Sequence, residues 1–135
     1  MGVEKVQPKQ LSQRVVNGRV LYHHVVVTTG QKFAFISGQL ARNSDGVIVA
    51  PGDMRAQIKQ VGENLKVALE SVGATLADLV KTTTFVTDID EFFKHVDVRQ
   101  DYLGVALPAS TTVEVRRLSH PDLVVEIEAV ALLER

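Results

Sequence analysis

Residues 123–131, Leu-Val-Val-Glu-Ile-Glu-Ala-Val-Ala, set two carboxylates, Glu126 and Glu128, two positions apart inside an otherwise apolar run. Strand alternation sends Val125, Ile127, Ala129 and Ala131 to one face and both glutamates to the other. A sheet core disfavours unpaired charge, so only a sheet with one apolar face and one polar or shared face accommodates this segment. Upstream, residues 108–115 (Pro-Ala-Ser-Thr-Thr-Val-Glu-Val) read as a second strand, joined to the first by a turn at Ser119-His120-Pro121-Asp122.

The rest of the chain supplies partners for those strands. Val20 to Val27 and Lys32 to Leu40 read as two strands of a hairpin turned at Thr28-Thr29-Gly30-Gln31. Asp53 is the expected N-cap of a helix whose apolar stripe runs Met54, Ile58, Val61, Leu65, Leu69 and Val72, with Gly73 as the stop. Leu79 to Thr87 is a further strand. Asp90 then opens a second helix to about Leu103, carrying Phe92, Val96 and Leu103 inward. The order is β-β-α-β-α-β-β: an α+β domain whose helical crossovers require some parallel pairing. Two helices cover one face of a mixed sheet. The other face is expected to carry Thr112, Glu114, Arg116, Glu126 and Glu128, and to bury itself against another copy, so a homo-oligomer is expected.

A length of 135 residues suits one domain, taken as 1–135 with residues 1–18 as an N-terminal extension. A net charge of −1 with interspersed signs, few aromatics and no Trp disfavours a nucleic-acid surface. The absence of Cys removes disulfides, thiolate nucleophiles and cysteine metal sites. No apolar run approaches the ~18 residues of a membrane span, so a cytoplasmic protein is expected. The four histidines show no metal-ligand spacing, and His23 and His24, as strand neighbours, point to opposite faces.

Three segments, in order and spacing, resemble the Rid (reactive intermediate deaminase, YjgF-type) family. They are Tyr22-His23-His24-Val25-Val26 with Phe35-Ile36-Ser37-Gly38-Gln39, then Ser71-Val72-Gly73-Ala74 through Asp78 to Phe85, then the C-terminal pair of strands. The likeness runs from about Tyr22 to Leu133. It implies a fold like bacillus-type chorismate mutase, a homotrimer with clefts between subunits, and hydrolysis of reactive enamines or imines to a carbonyl compound and ammonia, with no cofactor and no metal. Some relatives are described instead as ribonucleases, translation inhibitors or ligand binders. The His-Pro-x-Leu turn is also similar to that of 2-aminomuconate deaminases.

Imine hydrolysis needs a group to hold the substrate, a donor at nitrogen and an activated water. The resemblance implies Glu126 as the residue orienting water, Tyr22 as the pocket tyrosine, Gly38 beside Ser37 as a backbone contact, and Asp97 near an asparagine of some members. The family's cysteine falls on Thr112. The family's carboxylate-clamping arginine falls on Ser110, which offers one neutral donor where a guanidinium offers a bidentate fork. The expected pocket therefore lacks that arginine. Arg116 lies six strand residues, ~20 Å, from Ser110, while Arg14 and Arg19 precede the first strand and are the other candidates.

Plainer uses exist for the same residues. Glu126 and Glu128 can pair with Arg116 or Arg117 of the adjoining strand across a polar subunit interface, Tyr22 can pack as a strand-end aromatic, and Ser37 lacks the Gly-x-Ser-x-Gly elbow of a nucleophile. Two rival functions accompany the deaminase: a non-catalytic trimer binding a small metabolite, and an RNA-acting protein, which charge and aromatic content disfavour.

Overall fold

In the computed structural model, which describes residues 2–10, 13, 15–30 and 32–133, eight strands and three helices follow one another. They are β1 (Val3–Val6), β2 (Val15–Val16), β3 (Arg19–Val20), β4 (Val25–Thr28), β5 (Phe33–Leu40), α1 (Met54–Glu70), β6 (Leu79–Val86), α2 (Ile89–Phe93), α3 (Val96–Leu103), β7 (Ala109–Glu114) and β8 (Val125–Leu132). A single 3-10 turn at Leu76–Asp78 precedes β6.

The main sheet has the order β5-β8-β6-β7. β8 pairs antiparallel with both β5 and β6, and β6 pairs parallel with β7 across the α2–α3 crossover. The mixed α+β architecture read from the sequence is present. Its strand neighbours differ from the sequence expectation in two places. β7 and β8 are not a hairpin, because β6 lies between them. The expected first hairpin is also not made: β4 pairs with β1, and β5 turns to β8. Residues 1–18, expected as an extension, carry β1 and β2, which pair with β4 and β3.

Alternation places the apolar face of β8 as expected: Val125, Ile127, Ala129 and Ala131 are buried against α1 and its neighbours, among Ile58, Val61, Leu65 and Leu69. α1 begins where Asp53 accepts from the Ala56 amide at 3.0 Å. It ends at Glu70, earlier than the stripe suggests, so Val72 is exposed. Gly73 at φ +76° allows the left-handed stop, and the Ala74 amide returns to Leu69 O at 2.9 Å.

The second expected helix is two. Asp88, rather than Asp90, caps α2 through the Glu91 amide at 3.0 Å, and the chain re-enters a helix at Val96. Phe92, Val96 and Leu103 are buried as the stripe required.

The sheet's outer face differs from expectation. Parallel pairing aligns Thr82 with Ser110 and Thr84 with Thr112, and Thr82 and Thr84 are fully buried. Ser110 and Thr112 therefore face the helices. Glu114 does too, since its carboxylate accepts from the Ile89 amide at the start of α2. Arg116 lies beyond the end of β7. The outer face instead carries Phe33, Phe35, Lys81, Thr83, Thr111, Val113, Glu126 and Glu128, with Phe35 80% exposed.

Candidate functional site

The expected site residues fall into two groups on opposite faces of the sheet, with one residue outside both. On the helix side, a cavity of about 350 Å³ is lined by Leu21, Tyr22, His24, Phe93, Arg99, Ser110 and Thr112, a size that suits a small ligand. Tyr22 sits in the connection between β3 and β4 rather than within a strand. Its ring meets that of His24 edge-on, with centroids 5.3 Å apart. Ser110 and Thr112 reach the cavity because β7 pairs in parallel with β6.

The cavity contains a guanidinium. Arg99 of α3 is only 3% exposed. It donates through Nη1 to Leu21 O at 3.2 Å and to Gln100 Oε1, and through Nη2 to Ser110 Oγ at 3.0 Å. Gln100 in turn donates to Val20 O at 2.7 Å, so α3 holds the segment that presents Tyr22. All three acceptors of Arg99 are neutral. Burial pulls its pKa down to about 10, which leaves it charged at neutral pH. Ser110 Oγ also accepts from Thr82 Oγ1 at 3.3 Å.

Residue 110 supplies no arginine, and the guanidinium in the cavity comes from the helix instead of the strand, at a position the sequence reading did not single out. The signal was present, since 92, 96, 99 and 103 form one helical stripe and Arg99 is the charged member of it. The other candidate arginines lie elsewhere. Arg19 pairs with Asp101 at 3.6 Å on the surface, Arg116 lines a separate hollow with His120 and Pro121, and Arg14 lies outside the described residues.

On the outer face, Glu126 lies over Gly38. A Cβ at residue 38 would overlap Glu126 Oε2 and come within 2.8 Å of its Cδ, so the carboxylate occupies space that glycine alone leaves open. Ser37 and Gly38 sit where the β5–β8 register shifts between Ile36 and Gln39, a bulge that brings backbone toward the carboxylate. Burial, and then repulsion from Glu128, holds the Glu126 carboxyl above the usual carboxylate range. Within one chain, neither Glu126 nor Glu128 pairs with Arg116 or Arg117 among the described residues, because β6 separates the strands concerned. Lys81 is the cation beside Glu128, whose charge partly offsets the burial that lowers the Lys81 pKa.

Asp97 joins neither group. It receives Arg55 Nη1 at 3.0 Å and Nη2 at 2.8 Å in a bidentate pair linking α3 to α1, and that guanidinium holds its carboxyl below the usual range. With both side chains about half exposed, the pair is a surface brace. Among the described residues no cluster of three or more His, Asp or Glu could hold a metal ion, and no helix is long and apolar enough to cross a membrane.

Residues 14–133 match the family model described as endoribonuclease L-PSP. A RutC family protein of Pyrococcus abyssi is 39% identical over 102 residues, covering 76% of this chain and 80% of that protein. The 2-iminobutanoate/2-iminopropanoate deaminase of Escherichia coli is 36% identical over 99 residues, covering 71% and 76%. In structure, a protein of unknown function of the conserved Rid family from Yersinia pestis superposes with a TM-score of 0.85 at 30% identity, covering 98% of this chain and all of that one.

Proposed function

The chain belongs to the Rid (YjgF-type) family, and from that premise we propose that it is an imine deaminase, hydrolysing a small reactive imine or enamine and releasing ammonia. The observation that carries this reading is the Glu126 carboxylate seated over Gly38, with its pKa raised by burial and by Glu128. A carboxylate whose proton affinity exceeds that of free glutamate is a better base for water. In the proposed step Glu126 accepts a proton from water as the water oxygen bonds to the imine carbon and the C=N pair moves to nitrogen. Glu126 returns that proton to nitrogen, which gives a neutral carbinolamine. In its collapse the hydroxyl proton passes to nitrogen through Glu126, the oxygen pair forms the C=O bond as the C–N bond breaks, and ammonia leaves the carbonyl product.

In one chain, Glu126 and the Tyr22–Ser110–Thr112 cavity are on opposite faces. They can act on one substrate only if the outer face of one copy meets the helix-side cavity of another, which supports a cleft shared between subunits of a homotrimer. The similar E. coli protein is named for 2-imino acids, which favours small imino acids here.

The test generates 2-iminobutanoate in situ and follows ammonia release above the spontaneous rate. Wild type should accelerate it, and Glu126→Gln should lose on the order of 10²-fold while keeping its oligomeric state. No acceleration by wild type would leave the metabolite-binding reading in its place. Joint loss of assembly and activity in Glu126→Gln would assign that residue to the interface instead.

A further inference from the structure

A guanidinium that is 3% exposed and has only neutral acceptors is an uncompensated buried charge. Such a charge is costly unless something compensates it. Its three hydrogen bonds leave two of the five guanidinium N–H donors for an incoming group. Ser110 Oγ, accepting from both Arg99 and Thr82, keeps its own O–H as a further donor into the same cavity. The cavity is lined otherwise by Tyr22, His24, Phe93 and Thr112, none of them acidic. Within one chain, no carboxylate among the described residues is placed to neutralise Arg99.

We propose that Arg99, reaching the cavity from α3 and steadied by Ser110, is the anchor for a carboxylate on the ligand. It would stand in for the guanidinium that residue 110 does not supply. This deepens the reading of the cavity as the substrate site, and rests on it. The substrate class is then a small imino acid or its keto acid, held through its carboxylate, and Ser110 is a positioning residue. The same hydroxyl that departs from the family pattern makes room for Arg99: an arginine side chain at 110 would enter the space where Arg99 Nη2 meets Ser110 Oγ at 3.0 Å. Two guanidinium groups there would also repel.

The experiment measures binding of 2-oxobutanoate and of its neutral methyl ester, so that it does not depend on catalysis. Wild type should bind the acid. Arg99→Met should weaken acid binding by roughly 30-fold or more and leave the ester unchanged. The double variant Arg99→Met/Ser110→Arg should regain acid binding, which a merely structural role for Arg99 would not produce. In the unmodified protein the Arg99 Nε–H resonance, assigned by its loss in Arg99→Lys, should shift with the acid and not with the ester. That readout holds even where Arg99→Met does not fold. Equal weakening of acid and ester, or an Arg99 resonance indifferent to the acid, overturns the inference. If acid binding follows Arg99 but no imine is hydrolysed, the anchor stands and the deaminase reading falls. If imines are hydrolysed with an acid-over-neutral preference that Arg99→Met leaves unchanged, the deaminase stands and the anchor falls.

Discussion

Glu126 and Glu128 are two residues apart and yet sit in different environments. Glu126 is half-buried over Gly38, while Glu128 is exposed and lies near Lys81. Burial raises the Glu126 pKa first and Glu128 adds to it, so the pH at which the base becomes protonated is tuned by its neighbour. A base works in its deprotonated form, so activity should fall as pH drops through a raised pKa, above the ordinary glutamate range. Removing the like charge lowers that pKa. Glu128→Gln should therefore move the acid limb of kcat/KM to lower pH with little change on the plateau. An unmoved limb, measured across the acid range with the same imine, would show that another group sets it.

The elements are held by polar struts as well as by apolar faces. Gln57 of α1 is fully buried. Its Nε2 donates to Ala50 O at 3.0 Å and to Asp122 O at 2.8 Å, and its Oε1 accepts from the Val124 amide at 2.9 Å. One side chain thus ties the loop entering α1 to the loop entering β8, where Glu126 follows two residues later. Gln57→Leu keeps the volume but leaves buried backbone groups unpaired. It should cost about 2–4 kcal/mol by urea unfolding, and should lower activity through the β8 entry. A loss under about 1 kcal/mol would mean that water replaces the amide. The stripe of α1 was readable from spacing, and so was its Asp53 cap. Gln57 was not, because its value lies in two loops distant in sequence.

For the whole molecule, the outer sheet face presents Phe33, Phe35 and Val113 to solvent beside the two glutamates. Exposed aromatics on a sheet face are the mark of an interface, and the division of the site across the sheet calls for one. Light scattering at micromolar concentration should give a homotrimer. Phe35→Asp should shift it to monomer and abolish imine hydrolysis, with the unfolding of the isolated chain little changed. A monomeric wild type, or a monomeric variant that keeps its activity, would overturn the shared cleft.

What the sequence by itself determined is local. Alternation in 125–131 set the buried face of β8, the stripe and cap set α1, and Gly73 set its end, because each depends on periodicity or on a φ angle within a few residues. The helical stripe 92-96-99-103 also contained Arg99, although nothing within α3 says what a buried arginine meets. The tertiary structure decided the rest. Inserting β8 between β5 and β6 separated Glu126 from the arginines beyond β7, and the parallel β6–β7 register turned Ser110 and Thr112 toward the helices. That same register brought Ser110 to Arg99, 11 residues away in sequence. Strand neighbours and register follow from the packing of both sheet faces at once, and no window of the chain contains that information.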